Sequence, residues 1–238
     1  MNDQNPKNID KRKFQSKPIH RYNGIPWPRI DMKDLQNKIE VPLKENYLLR
    51  SMDYLDTTEA RPIFDTQKDI IINNQFKGIV DVGCRIGILN DYLYQEEYKD
   101  YNYMGFDTSP QPISYAKERW SNINTIEYRV ANLLNKKDIQ VNFKVDCVIW
   151  SGILLYFPNN HFEIFSNIQK FYNSPNAIIQ EPCKDQDEDK WINNLHLNTI
   201  ENDIQLYRKY FKVKSETVVN CNIFSGKRRI IHTCRWEV

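Results

Sequence analysis

From residue 77 onward the chain alternates short apolar runs with amphipathic segments, and this alternation restricts the fold more than any other feature. "GIVDVG", "YNYMGFD", "TIEYRVA", "VDCVIWS" and "NAIIQEP" read as five strands, with helical segments between most of them. "GILNDYLYQEEY" sets Ile88, Leu89, Tyr92 and Leu93 on one helical face, and "PISYAKERW" does the same with Ile113, Ala116 and Trp120. Strands joined through helices are parallel neighbours, so an α/β, doubly wound, mostly parallel sheet is expected. After residue 185, "DQDEDKWINNLHLNTIENDIQLYRKYF" opens on a charged loop and reads as a last helical region. "KVKSETVVNC" and "RRIIHTCRWEV" then follow with no helix between them and must pair antiparallel around Ser225 and Gly226.

Ahead of this domain, residues 31–76 read as a helical cover around Pro42 and Pro62, and residues 1–30 as a basic, loosely ordered arm. The division is thus 1–30 arm, 31–76 cover and 77–238 main domain. At 238 residues the chain can bury one substantial core rather than two. The net charge is only +2, and the arm holds Lys7, Lys11, Arg12, Lys13, Lys17 and Arg21. An electrostatic footprint for nucleic acid is therefore confined to the arm. The arm lacks the apolar core of a secretory signal, and no apolar run approaches a membrane span. Five cysteines without a C-x-x-C pair argue against a disulfide framework and place the chain in a reducing cytoplasm. With four histidines scattered as well, no metal site is expected.

In a doubly wound sheet the ligand lies beyond the carboxyl ends of the strands, where the winding reverses. The first strand delivers Asp81, Gly83, Cys84 and Gly87 there. Gly83 permits a tight turn close to a ligand, and Gly87 lets the next helix start beside the strand. A carboxylate inside an apolar strand is costly without partners, so Asp81 is expected to bind the turn's amides or a cationic ligand group. The second strand ends in "GFDTS", where Asp107, followed by Thr108, can accept hydrogen bonds from the vicinal hydroxyls of a ribose. A dinucleotide site would show G-x-G-x-x-G; here the glycines are spaced G-x-x-x-G behind an aspartate that would repel a pyrophosphate but not a sulfonium or ammonium. An adenosine-containing cation fits, provided that Asp81 and Asp107 converge on neighbouring strand tips.

"DVGCRIG", "GFDTS", "VANLL" and "DCVIWSGILLYF", in that order, resemble motifs one to four of the class I S-adenosylmethionine-dependent methyltransferases, over roughly residues 77–182. The resemblance implies that family's Rossmann-like, seven-stranded sheet, the terminal pair supplying strands six and seven. It implies S-adenosylmethionine as cofactor and S-adenosylhomocysteine as product. The family's first motif is D-x-G-x-G-x-G; Asp81, Gly83 and Gly87 match it and Arg85 replaces the middle glycine, which a side chain can do at negative φ. By the same resemblance Asp107 holds the ribose, Asn132 accepts from the adenine amine where the family has aspartate, and Leu133 touches the adenine. Ser151 and Gly152 lie beside the transferred methyl, with Tyr156 behind them. Arg61 is a candidate for the cofactor's carboxylate.

Methyl transfer needs alignment more than acid–base chemistry, and a base serves only an acceptor that must lose a proton. Tyr156, His161 and Glu181 stand at or beyond strand ends for that purpose. Cys183 follows a proline, yet lacks the second Pro-Cys motif of covalent RNA base methylation, and no [DNS]-P-P-[YFW] motif follows strand four. The short cover and small terminal hairpin favour an N or O acceptor on a small molecule. RNA or protein reached through the basic arm is the alternative, and a non-catalytic regulator on the same fold is a third.

Overall fold

The computed structural model describes residues 61–153, 161–182, 211–223 and 226–236. The arm, most of the cover, Tyr156, Cys183 and the polar stretch after residue 185 lie outside them. The expected strands are β1 (Gly78–Val82), β2 (Asn102–Asp107), β3 (Ile126–Val130), β4 (Cys147–Ser151), β5 (Asn176–Pro182), β6 (Phe211–Ile223) and β7 (Gly226–Trp236). The helices are α1 (Arg61–Asn73), α2 (Ile88–Gln95), α3 (Pro110–Trp120) and α4 (His161–Tyr172). The strands form one seven-stranded sheet ordered β3-β2-β1-β4-β5-β7-β6. Strands β1 to β5 pair parallel, while β7 inserts antiparallel between β5 and β6.

Two apolar layers sandwich the sheet, as near-continuous hydrophobic strands require. On one face Ile79, Tyr103, Tyr128 and Ile149 pack with Ile63 and Ile71 of α1, Leu89 and Leu93 of α2, and Ile113 and Trp120 of α3. On the other, Val80, Met104, Val148, Trp150 and Ile179 pack with Ile164, Phe165 and Ile168 of α4. Gly78 opens β1 where a Cβ would lie 1.8 Å from the Lys144 carbonyl, and the Lys77 and Gly78 amides donate to Asp146 Oδ2 at 3.0 Å. These contacts register β1 against β4 at the end opposite the ligand crevice. Winding reverses between β1 and β4, so the crevice opens beyond Val82 and Ser151. Cys84, Cys147 and Cys234 are buried and unbridged. Among the described residues no helix is long and apolar enough to cross a membrane.

Candidate functional site

The turn after β1 is fastened to the tip of β2. The amides of Gly83 and Cys84 donate to the Phe106 carbonyl at 2.7 and 3.0 Å, and that of Arg85 donates to Asp107 Oδ2 at 3.1 Å. Asp107 Oδ1 accepts from the Ser109 amide, at the start of α3, at 2.9 Å. The Ser109 side chain bonds to Asp107 as well, so of the carboxylate's roughly four acceptor positions about one stays open. Burial raises the Asp107 pKa, while the Ser109 and Arg85 hydrogen bonds pull it back. Thr108 beside it is exposed.

Two expectations are corrected. Arg85 does not keep a negative φ: it lies at φ 54, in the left-handed region, between Gly83 at φ 75 and Gly87 at φ 80. A non-glycine residue there costs about 1–2 kcal/mol, and the turn holds it because the neighbouring amides are pinned to β2. Nor does Asp81 collect the turn's amides, which go to Phe106 and Asp107; of its two expected partners the cationic ligand group is the one left. Asp81 lies within β1, 4% exposed, and its Oδ2 accepts from the Tyr103 hydroxyl. Burial chiefly, with the Asp107 charge adding, pushes its pKa up to about 7, against the Tyr103 hydrogen bond and Arg85.

Asp81 does stand beside Asp107. It pairs in register with Gly105, so Asp107 is two residues farther on the adjacent strand and faces the same side of the sheet. Strand geometry puts their Cα atoms roughly 8 Å apart, well inside the span of an adenosine derivative. Gly87 leaves no room for a side chain, since a Cβ would meet the Tyr128 hydroxyl at 2.1 Å. Cys84 turns its thiol into the core, where burial raises its pKa well above the ordinary value, so it offers the site backbone only.

At the β4 tip Gly152 lies at φ 63, and among the described residues nothing comes within 4 Å of where a Cβ would stand. Its amide donates to the Gln180 carbonyl at 2.7 Å, and the Ile153 amide donates to Glu181 Oε1 at 3.0 Å. Buried Glu181 thus reaches the crevice as a brace of the β4 loop. Ser151 Oγ accepts from Gln67 Nε2 of α1 at 2.7 Å, a partner that nothing in the local sequence around either residue signals. Asn132 and Leu133 follow β3; Asn132 Oδ1 accepts from the Leu134 amide at 3.0 Å, and Leu133 packs on the second core. Arg61 is exposed at the start of α1 and pairs with Asp65 at 3.5 Å, about 9 Å along the helix from Gln67. His161 is the first residue of α4. Tyr103 and Ser109 enter the site only through the pairing of β1 with β2.

Residues 80–173 match a family model described as a methyltransferase domain. No curated protein sequence matches the chain. Among solved structures it is similar to N-methyltransferase NodS from Bradyrhizobium japonicum WM9 in complex with S-adenosylhomocysteine, at 11% identity, TM-score 0.60, over 81% of this chain and 100% of that one. It is similar to the CurJ carbon methyltransferase at 12% identity and TM-score 0.62, over 87% of this chain and 62% of that one. The [4+2]-cyclase SpnF shares the fold at 12% identity and TM-score 0.57, over 73% of this chain and 81% of that one. The cofactor that a methyltransferase domain of this fold implies is S-adenosylmethionine. The residues present fit it: a buried carboxylate with acceptor capacity left at the β2 tip, a tight glycine turn and, among the described residues, open space at Gly152. Residues 80–173 thus match a methyltransferase domain, and the seven-stranded order with β7 reversed is the sheet that the resemblance to the class I S-adenosylmethionine-dependent methyltransferases implies.

Proposed function

We propose that the chain transfers a methyl group from S-adenosylmethionine to an N or O acceptor on a small molecule. The observation that carries the reading is Asp107: a buried carboxylate at a strand tip, oriented by the amides of Arg85 and Ser109 and by the Ser109 side chain, with acceptor capacity left over. A ribose hydroxyl satisfies what remains, and burying a carboxylate without such partners is costly. The cofactor supplies an electrophilic methyl on a sulfonium that leaves readily. What the chain's residues do is orient: Asp107 the ribose, the Asn132–Leu133 segment the adenine, and the Gly83–Gly87 turn with Ser151 and Gly152 the amino acid end. Glu181, Tyr156 and His161 are the candidates to receive a proton from the acceptor.

The small-molecule choice is supported by the β6–β7 hairpin, whose strands have no added domain between them; the likeness to an N-methyltransferase bears on the nitrogen acceptor alone. Titration calorimetry of the full chain with S-adenosylmethionine, followed by labelled methyl transfer to a panel of small amines and hydroxyl compounds, tests the reading. RNA and protein pools serve as competitors in the same assay. Binding with transfer to small acceptors supports it, and transfer to RNA alone, lost with residues 1–22 and with salt, replaces the acceptor class. A non-catalytic role draws on one observation, that Asn132 Oδ1 is held by the Leu134 amide, which leaves it a single lone pair for an adenine amine. No binding at hundreds of micromolar would decide for it.

A further inference from the structure

Helix α1 presents Ile63, Gln67 and Ile71 at four-residue spacing on its buried face. An apolar residue at the centre of that stripe would pack without any polar cost; a fully buried amide there is unfavourable unless both its ends are used. Gln67 is 0% exposed, and its Nε2 donates to Ser151 Oγ. Its Oε1 is buried and finds no donor among the described residues. Ser151 is the last residue of β4 and stands beside the β1 turn: its carbonyl lies 4.0 Å from where a Gly83 Cβ would be. The hydrogen bond to Ser151 therefore holds the amide of Gln67 at the junction of the two strand tips, with one acceptor unfilled.

We propose that Gln67 is a positioning residue for the amino acid end of the cofactor, its Oε1 accepting a hydrogen bond from the α-ammonium group while Ser151 fixes the amide's orientation. The inference rests on the methyltransferase reading above. It makes the cover helix part of the site, joined to it by a contact across 84 residues of sequence. The unfilled acceptor matches an ammonium, which only donates, and not a carboxylate, which only accepts.

The test compares three probes by calorimetry on the full chain: S-adenosylhomocysteine, its analogue lacking the amino group, and 5′-methylthioadenosine, which lacks the amino acid end. Gln67→Met, similar in length and apolar, should weaken S-adenosylhomocysteine about tenfold to hundredfold, the range for one hydrogen bond to a charged group. Methylthioadenosine should bind the variant as it binds the wild type. An equal loss for both probes, or no loss for either, overturns the assignment. Wild-type protein should bind the deaminated analogue at least about tenfold more weakly than S-adenosylhomocysteine; equal affinity overturns the proposal even if the variant fails to fold. Wild-type protein that binds methylthioadenosine keeps the cofactor reading whatever Gln67 does. Failure to bind any of the three removes that reading, and the proposal with it.

Discussion

Replacing Asp81 with asparagine isolates the electrostatic cost of the β1 strand. The carboxyl is 4% exposed and its pKa is pushed from the ordinary 3.8 to about 7, chiefly by burial. A raised folded-state value means that the folded protein holds a proton which the unfolded chain has released. The associated stability is fully present below about pH 4 and is lost as the pH rises toward 7. About 3 pH units at about 1.4 kcal/mol each amounts to about 4 kcal/mol. An asparagine at this position would carry no charge, and its side-chain oxygen can still accept from the Tyr103 hydroxyl that now donates to Asp81. Asp81→Asn should therefore match the wild type near pH 4 and exceed it by up to about 4 kcal/mol at pH 8. Urea unfolding of the ligand-free chain at several pH values, with linear extrapolation, measures the gap. A gap that stays constant between pH 4 and 8, or a variant less stable than wild type at pH 8, refutes the reasoning.

The other expectations follow from single contacts. Asp107→Ala should weaken binding of S-adenosylmethionine by about 1–3 kcal/mol, because the Arg85 and Ser109 amides lose their acceptor together with the ribose; unchanged calorimetric affinity would reject the ribose assignment. Arg85→Gly should relieve about 1–2 kcal/mol of left-handed backbone cost, offset by about 0.5–1 kcal/mol of unfolded-state entropy. The net is a gain of up to about 1.5 kcal/mol, read as a Tm rise of up to about 3–6 °C; a fall would show that the guanidinium holds the turn. Gly87→Ala should destabilise by about 2 kcal/mol or more, since it combines φ 80 with a Cβ 2.1 Å from the Tyr128 hydroxyl. Tyr128→Phe should be neutral or stabilising by about 1 kcal/mol in denaturant unfolding, as that buried hydroxyl has no partner among the described residues.

Much of the fold was legible because it is written in local periodicity. The apolar runs at residues 78–83 and 145–151 and the helical spacing of Ile88, Leu89 and Leu93 need no knowledge of neighbours, and each became the element expected. The order of motifs identified the glycine turn and the two acidic positions as one site, and parallel pairing did bring Asp81 and Asp107 to one face.

The roles within the site were less legible, for a physical reason. Whether Asp81 meets amides or a tyrosine depends on which residue of β2 lies opposite it, and a strand's pattern does not specify that register by itself. Arg85 reads as a substituted glycine at tolerable φ until the amides on either side are seen fastened to Phe106 and Asp107. The backbone of a turn answers to its long-range anchors before the preference of its own side chain. Gln67 is the extreme case: a single polar residue in an apolar stripe carries no local signal, and its meaning comes from Ser151 on β4. Sequence alone determined the sheet, the winding and the place of the crevice, because periodicity and chain order suffice for these. Tertiary structure decided which atoms face the crevice and which are already engaged, because each buried polar group must find its partner among residues brought together only by folding.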